Sequence, residues 1–234
     1  MMATLTGKNI LYEDNHLLVV NKAAGLLTQP VPADRRDSLE EMAKGYLKVV
    51  YNKPGRVFLH SVHRIDRQVS GLVIFARTDK ALSRLNAAMR DQRITKIYHA
   101  LVEGHIPGPM ATPHQLSHYL SHRSHFAAVS ASPTEGSRLA TLAYTVLDRN
   151  GRLSLVRIEL GTGRYHQIRA QMAAIGHPVI GDRRYGATTL CPVHDGIALH
   201  SRNCRVPHPV RKELLDLTAP YPPFWSQLLA NLSR

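Results

Sequence analysis

A chain of interleaved helices and strands is the fold class that this sequence predicts, on three observations. Short continuous apolar runs follow turn residues, as buried strands do. Three other stretches repeat apolar residues every three or four positions, as amphipathic helices do. Near the middle of the chain an alternating pattern turns at an Asn-Gly pair, which is how a hairpin reads. The 234 residues suffice for a sizeable core, and residues 1–234 are read as a single domain.

Taken in order, residues 11–22 read as an acidic turn followed by the buried strand 17–20. In residues 37–50, Leu39, Met42, Ala43, Tyr46 and Leu47 fall at helical spacing, and Pro54-Gly55 breaks the chain beyond. Ser70-Gly71 then opens a continuous apolar run to Ala76, a buried strand. Thr78 is placed to cap a helix with Asp79 in its first turn and Leu82, Leu85 and Met89 along one face. Residues 96–104 alternate like a strand, and 141–160 form a hairpin about Asn150-Gly151. Ile168, Met172 and Ile175 share a helical face that Gly176 and Pro178 terminate. Residues 113–125 are read as irregular, because Pro113 and several serines interrupt any pattern. A short helix around Trp225 closes the chain.

Lys and Arg outnumber Asp and Glu by 30 to 17, a net charge of +13. Such an excess attracts polyanions, with nucleic acid the first candidate and an anionic membrane the second. The 44% hydrophobic content is ordinary for a folded protein and argues against disorder. No run reaches the roughly eighteen apolar residues of a membrane span, and residues 1–14 lack a signal-peptide apolar region. Two cysteines, Cys191 and Cys204, make no disulfide framework, which points to a reducing, cytoplasmic location.

Chemistry concentrates at His63-Arg64-Ile65-Asp66-Arg67-Gln68-Val69-Ser70-Gly71. One carboxylate, Asp66, stands between two guanidinium groups and is anchored on a buried strand. Neighbouring cations favour the ionised carboxylate, as a nucleophile or base at neutral pH requires. For an isolated Asp between arginines, a solvated surface loop is the commoner case. Tyr98 on pattern alone is a core residue, Lys22 ends a strand, and Arg169 is a helix-edge arginine.

Two places in the sequence carry a metal-like spacing. His114, His118 and His122 fall at steps of four, but no carboxylate or cysteine lies among them. Cys191, His194, His200 and Cys204 imitate a four-ligand zinc spacing. Neither outweighs coincidence, so no metal is expected.

Three motifs in order carry a resemblance. The Asp66 loop resembles the HRLDxxTSG signature of the RluA family of pseudouridine synthases, with Ile65 for Leu and Val69 for Thr. Residues 96–104 resemble the family's KxYxAxVxG segment. Residues 163–186 are similar to its GRTHQIRxHxxxxGHPxxGDxxYG segment, with Tyr165 in the Thr position. Asn21-Lys22-Ala23-Ala24-Gly25 is similar to NKPxG, with Ala23 for Pro, and Ala198-Leu199-His200 to LHA. The likeness runs over about residues 10–224.

The resemblance implies an α+β fold, with a long mixed, mostly antiparallel sheet in two halves flanked by helices and an active-site cleft between them. It implies isomerisation of uridines in structured RNA, ribosomal or transfer, without metal or nucleotide cofactors, by a monomeric enzyme that binds through its basic surface alone. Asp66 would be the catalyst, Tyr98 would pack on the target base, and Arg169 would pair with Asp66. His63, Arg64, Arg67, Ile168 and Leu199 would contact RNA or substrate. Two alternatives stay open: a non-catalytic RNA-binding protein of this fold, and a glycosidic hydrolase. The latter would want a second carboxylate across the bond.

Overall fold

The computed structural model describes residues 5–31 and 37–232. Within them lie eleven strands and four α-helices, arranged as two compact units. The fold is α+β, as the sequence implies. Arg35, Arg36 and the rest of 32–36 lie outside the described residues.

The first unit comprises the chain up to Thr95 together with Ser201–Tyr221. Its strands are β1 (Ile10–Glu13), β2 (Leu17–Lys22), β3 (His60–Ser61) and β4 (Ser70–Ala76). β1 and β2, β2 and β4, and β3 and β4 all pair antiparallel. Every residue of β4 is buried, so this strand has no solvent face, and a continuous apolar run is what such a position selects. Helix α1 (Leu39–Val50) starts where the Ser38 hydroxyl accepts from the Glu41 amide. Helix α2 (Asp79–Arg90) starts where Thr78 accepts from Ala81. Each cap satisfies an amide that the first helical turn leaves without a partner. Ala81, Leu85 and Ala88 of α2 pack with Leu17, Val19, Leu72 and Ile74 of the sheet, and of the predicted face Leu85 is central while Leu82 and Met89 are partly buried against the same cluster.

The β1–β2 turn is fastened by Asp14. Its Oδ1 accepts from the amides of His16 and Leu17, both at 2.8 Å, and its Oδ2 accepts from His208 Nε2 at 2.7 Å and Tyr12 Oη at 3.1 Å. Burial alone would raise its pKa, but these donors outweigh it and hold the carboxyl at about 2. A group whose folded pKa is depressed contributes stability above its ordinary value near 3.8, and that contribution is lost as pH falls through about 2. Asp14→Asn should therefore lower the melting midpoint at pH 6 and flatten its dependence between pH 4 and pH 2. Parallel melting profiles for the two proteins across that window would contradict this.

The second unit comprises Lys96–His200 and the chain from Pro222. Here β5 (Thr95–Glu103), β6 (Pro113–Arg123), β7 (Phe126–Ser130), β8 (Arg138–Arg149) and β9 (Leu153–Leu160) lie in the order β5-β9-β8-β6-β7, each neighbour antiparallel. The β8–β9 turn is built by Asn150, whose Oδ1 accepts from the amides of Arg152 and Leu153. Helix α3 (Gln167–Ala174) buries Ala170 against Leu120, Ala127 and Ala140 of the sheet. It ends at Gly176, whose φ of 84° suits glycine. Helix α4 (Phe224–Ala230) buries Trp225 beside His200, ring centroids 5.8 Å apart. Strand β10 (Leu199–Pro207) runs from this unit into the first, where it pairs with β11 (Leu214–Thr218).

One element differs from the sequence reading. Residues 113–123, read as irregular, form the long strand β6. Its histidines recur at even positions and so share one face, the period of a strand rather than a helix. His114 stacks on Tyr144 at 5.2 Å, and His118 Nδ1 lies 3.1 Å from Gln171 Nε2. Pro113 is tolerated because it is the first residue of the strand. Among the described residues, no helix is long and apolar enough to cross a membrane.

Candidate active site

The Asp66 loop joins β3 to β4 and is held by its backbone. Residues 66–69 close a turn in which the Val69 amide donates to the Asp66 carbonyl at 3.0 Å. This bond uses the main chain only, and the Val69 side chain is buried. A valine at this position therefore leaves the turn intact. On either side, the segment after β2 grips the loop. Thr28 Oγ1 donates to the Ile65 carbonyl at 2.8 Å and accepts from the Ile65 amide at 3.3 Å. The Gly25 amide donates to the Arg67 carbonyl at 2.8 Å.

Lys22 completes the grip. Its side chain is 1% exposed, and Nζ donates to the carbonyls of Ala23 (2.9 Å), Leu26 (2.7 Å) and Arg67 (3.0 Å). Three acceptors match the three N–H bonds of an ammonium group. Burial pushes its pKa down to about 7, while the Asp66 carboxylate pulls it up and Arg67 pushes it further down. Lys22 thus ties the strand end to the loop beside Asp66 through three carbonyls. The sequence reading left this residue balanced between a commonplace strand end and a site lysine, since burial of a lysine is not visible in a motif.

Of the residues singled out in this loop, Asp66, Arg67 and His63 are half-buried and Arg64 is exposed. His63 Nε2 accepts from the Ile74 amide at 3.2 Å, which fixes the ring against β4. Behind the loop, Gly71 has φ of 112°, and a Cβ there would meet the Ser201 backbone at 2.3 to 2.9 Å. Gly71→Ala should therefore cost at least about 3 kcal/mol, from strain plus a clash with main chain that cannot rotate away. A urea unfolding curve within about 1 kcal/mol of wild type would show that this close approach is not needed.

The second unit places the other candidates. Tyr98 lies buried on β5, its backbone opposite Ile158 of β9. Ile168 and Arg169 are buried on α3, and Leu199 is buried at the start of β10. Arg169 is not a helix-edge residue in solvent. Its Nε and Nη2 donate to Asp182 at 2.6 and 2.8 Å, and its guanidinium lies 5.1 Å from the Tyr185 ring centroid. Asp182 belongs to the Gly181-Asp182 pair of the third motif, but its role as a bidentate partner of Arg169 escaped the sequence reading. Spacing alone does not reveal that the chain doubles back.

The approach to α3 is equally fixed. Gln167 Oε1 accepts from Thr162 Oγ1 (2.7 Å) and the Arg164 amide (3.0 Å), and its Nε2 donates to the Thr141 carbonyl at 3.0 Å. His166, the residue before the helix, has φ of 51°, an uncommon conformation away from glycine. The Ala127 amide donates to Tyr185 Oη at 2.7 Å, and the same oxygen lies 3.0 Å from His166 Nδ1. Burial, followed by the charge of Arg169, brings the His166 pKa down to about 3, so the ring is neutral at physiological pH.

Neither histidine and cysteine group gathers. Among the described residues, no three His, Cys, Asp or Glu side chains lie close enough to hold a metal ion, and the His194 ring is 97% exposed. Exhaustive chelation should leave the melting midpoint unchanged; stoichiometric zinc whose removal unfolds the protein would overturn that expectation.

Comparison with known proteins agrees with the motifs. Residues 16–174 match a family model described as RNA pseudouridylate synthase. The chain is 34% identical over 216 residues to "Uncharacterized RNA pseudouridine synthase YhcT" of Bacillus subtilis, covering 92% of this chain and 68% of that protein. It is 33% identical over 225 residues to "Ribosomal large subunit pseudouridine synthase D" of Zymomonas mobilis, covering 91% and 69%. Among solved structures, human RNA pseudouridylate synthase domain containing 4 superposes with a TM-score of 0.80 over 97% of this chain and 93% of that one. Sequence identity there is 20%, and the likeness is one of fold.

Proposed function

Because the chain belongs to the RNA pseudouridylate synthase family, we propose that it converts particular uridines of structured RNA to pseudouridine with Asp66 as the essential catalyst. The observation that carries this reading is the anchoring of the Asp66 loop. Lys22, Gly25 and Thr28 bind the carbonyls on both sides of Asp66, so the carboxylate is presented from a backbone that is fixed before substrate arrives. Such preorganisation is what a catalytic group needs.

The reaction asks for few groups. The target base leaves its stack and enters the site, at a cost of a few kcal/mol. The Asp66 anion then enables the N1–C1′ bond to break, by attack on the sugar or by removal of a ribose proton. The freed uracil turns and rejoins through C5; Asp66 releases the sugar carbon or returns the ribose proton, C5 gives up its proton, and N1 ends protonated, so the product is an isomer of the substrate. Tyr98 packs against the base, and the guanidinium of Arg169 orients Asp66. His63, Arg64, Arg67, Ile168 and Leu199 complete the contacts to substrate. The net charge of +13 supplies phosphate attraction without sequence preference. The substrate is ribosomal or transfer RNA, the protein acts as a cytoplasmic monomer with residues 1–234 as one catalytic domain, and no metal or nucleotide cofactor takes part.

Mapping pseudouridines in ribosomal and transfer RNA from cells with and without the gene tests this. One or a few uridines should lose the modification in its absence and regain it with the purified protein. Identical maps would count against the proposed activity.

A further inference from the structure

The aromatic group at the entrance to α3 is not used by the reaction described above. The Tyr165 ring stacks on His166 with centroids 3.8 Å apart and planes at 17°. His122 of β6 meets it at 4.5 Å and 84°. His166 in turn meets Tyr185 at 5.7 Å. Three contacts in series thus fix the orientation of a ring that is still 38% exposed. The turn that holds it is strained at His166, and strained backbone of this kind gathers at functional sites.

Two cations border this aromatic group: Arg164, next to Tyr165 in sequence, and Arg184, next to Tyr185, whose charge acts on His166. Arg164 is exposed and anchored through Nε to the Leu139 carbonyl at 3.1 Å. Arg184 is exposed and anchored through Nη1 to the His125 carbonyl at 2.6 Å. Neither has a carboxylate partner among the described residues. A guanidinium held by one N–H to a neutral carbonyl keeps its charge, and its remaining donors, for an anion. A held, part-exposed aromatic ring in a group bordered by two such cations has the components of a single-stranded RNA site: a surface for a base and two anchors for its phosphates.

We propose that Tyr165, Arg164 and Arg184 form a docking site for an unpaired nucleotide of the RNA, built wholly from the second unit. The proposal rests on the reading of this protein as an RNA-modifying enzyme and adds a recognition element to it. A base stacked inside a duplex has no free face to offer Tyr165. The site therefore favours RNA in which a loop or bulge accompanies the modified position, whereas phosphate attraction alone favours no such feature.

The test is binding of two probes, a labelled decauridylate and a blunt ten-base-pair RNA duplex, to the full chain over a series of salt concentrations. Tyr165→Leu keeps the apolar bulk and loses the π-face. It should weaken decauridylate binding about tenfold, leave duplex binding unchanged, and preserve the salt slope. Tyr165→Phe should bind as wild type. Arg164→Gln and Arg184→Gln should each flatten the decauridylate salt slope by about 0.7. Wild-type decauridylate affinity in Tyr165→Leu, or an equal loss for both probes, would overturn the proposal. Should Tyr165→Leu melt early, the two arginine variants decide alone, and unchanged salt slopes in both would overturn it. Since these readouts need no turnover, their failure leaves the assignment of Asp66 standing, and an active Asp66 variant would leave this site standing.

Discussion

Replacing Asp182 with alanine is expected to cost about 3 to 5 kcal/mol of stability, the usual result of removing one member of a buried ion pair. The partner, Arg169, is 2% exposed and Asp182 is 1% exposed. Two parallel N–H bonds at 2.6 and 2.8 Å join them. Without the carboxylate, Nε and Nη2 lose the two Asp182 oxygens in a place closed to water. Asp182→Asn keeps one acceptor oxygen and should cost less. Removing the charge as well, in Asp182→Ala with Arg169→Met, should recover part of the loss, because part of the penalty comes from a buried charge that has lost its counter-charge. Arg169→Ala alone should lower both stability and the rate of pseudouridine formation. Urea unfolding of the set gives the ordering directly, and an Asp182→Ala protein within about 1 kcal/mol of wild type would mean that the pair contributes little.

Replacing Asp66 with asparagine is expected to remove activity while leaving the fold intact. The loop is held through the carbonyls of Ile65, Asp66 and Arg67 by Thr28, Val69, Gly25 and Lys22, and none of these bonds uses the Asp66 side chain. The substitution keeps size and shape, so the melting midpoint should move by only a few degrees. What it removes is the anion that both routes to N1–C1′ cleavage require. RNA affinity should persist or tighten, since one negative charge is lost beside a polyanion.

Much of this was legible in the sequence, and the reasons are physical. The apolar run of β4 reads as a strand because it is buried on both faces. Ser38, Thr78 and Gly176 mark helix ends because caps are local chemistry. Strand β6 did not read as one, because His114 and His118 stand among the leucines of its more buried face and Pro113 and the serines break the apolar alternation. At the site, motifs led to Asp66, Tyr98 and Arg169, but not to what surrounds them. That Lys22 is buried under three carbonyls, or that Asp182 returns to clasp Arg169, depends on how the chain folds back on itself, which leaves no period in the sequence. The Asp66 turn shows the converse: Val69 departs from the family pattern, yet the bond that closes the turn belongs to the backbone and is unaffected.

The central claim is that Asp66 is the catalyst of uridine isomerisation, and single-turnover pseudouridine formation with saturating enzyme tests it most directly. RNA identified by mapping is mixed with excess wild-type or Asp66→Asn protein, and pseudouridine is measured over time, with a binding curve and a melt for each protein. The account predicts complete conversion by wild type and none by a folded, RNA-bound Asp66→Asn protein. Pseudouridine formed by that variant at a rate near wild type would contradict it.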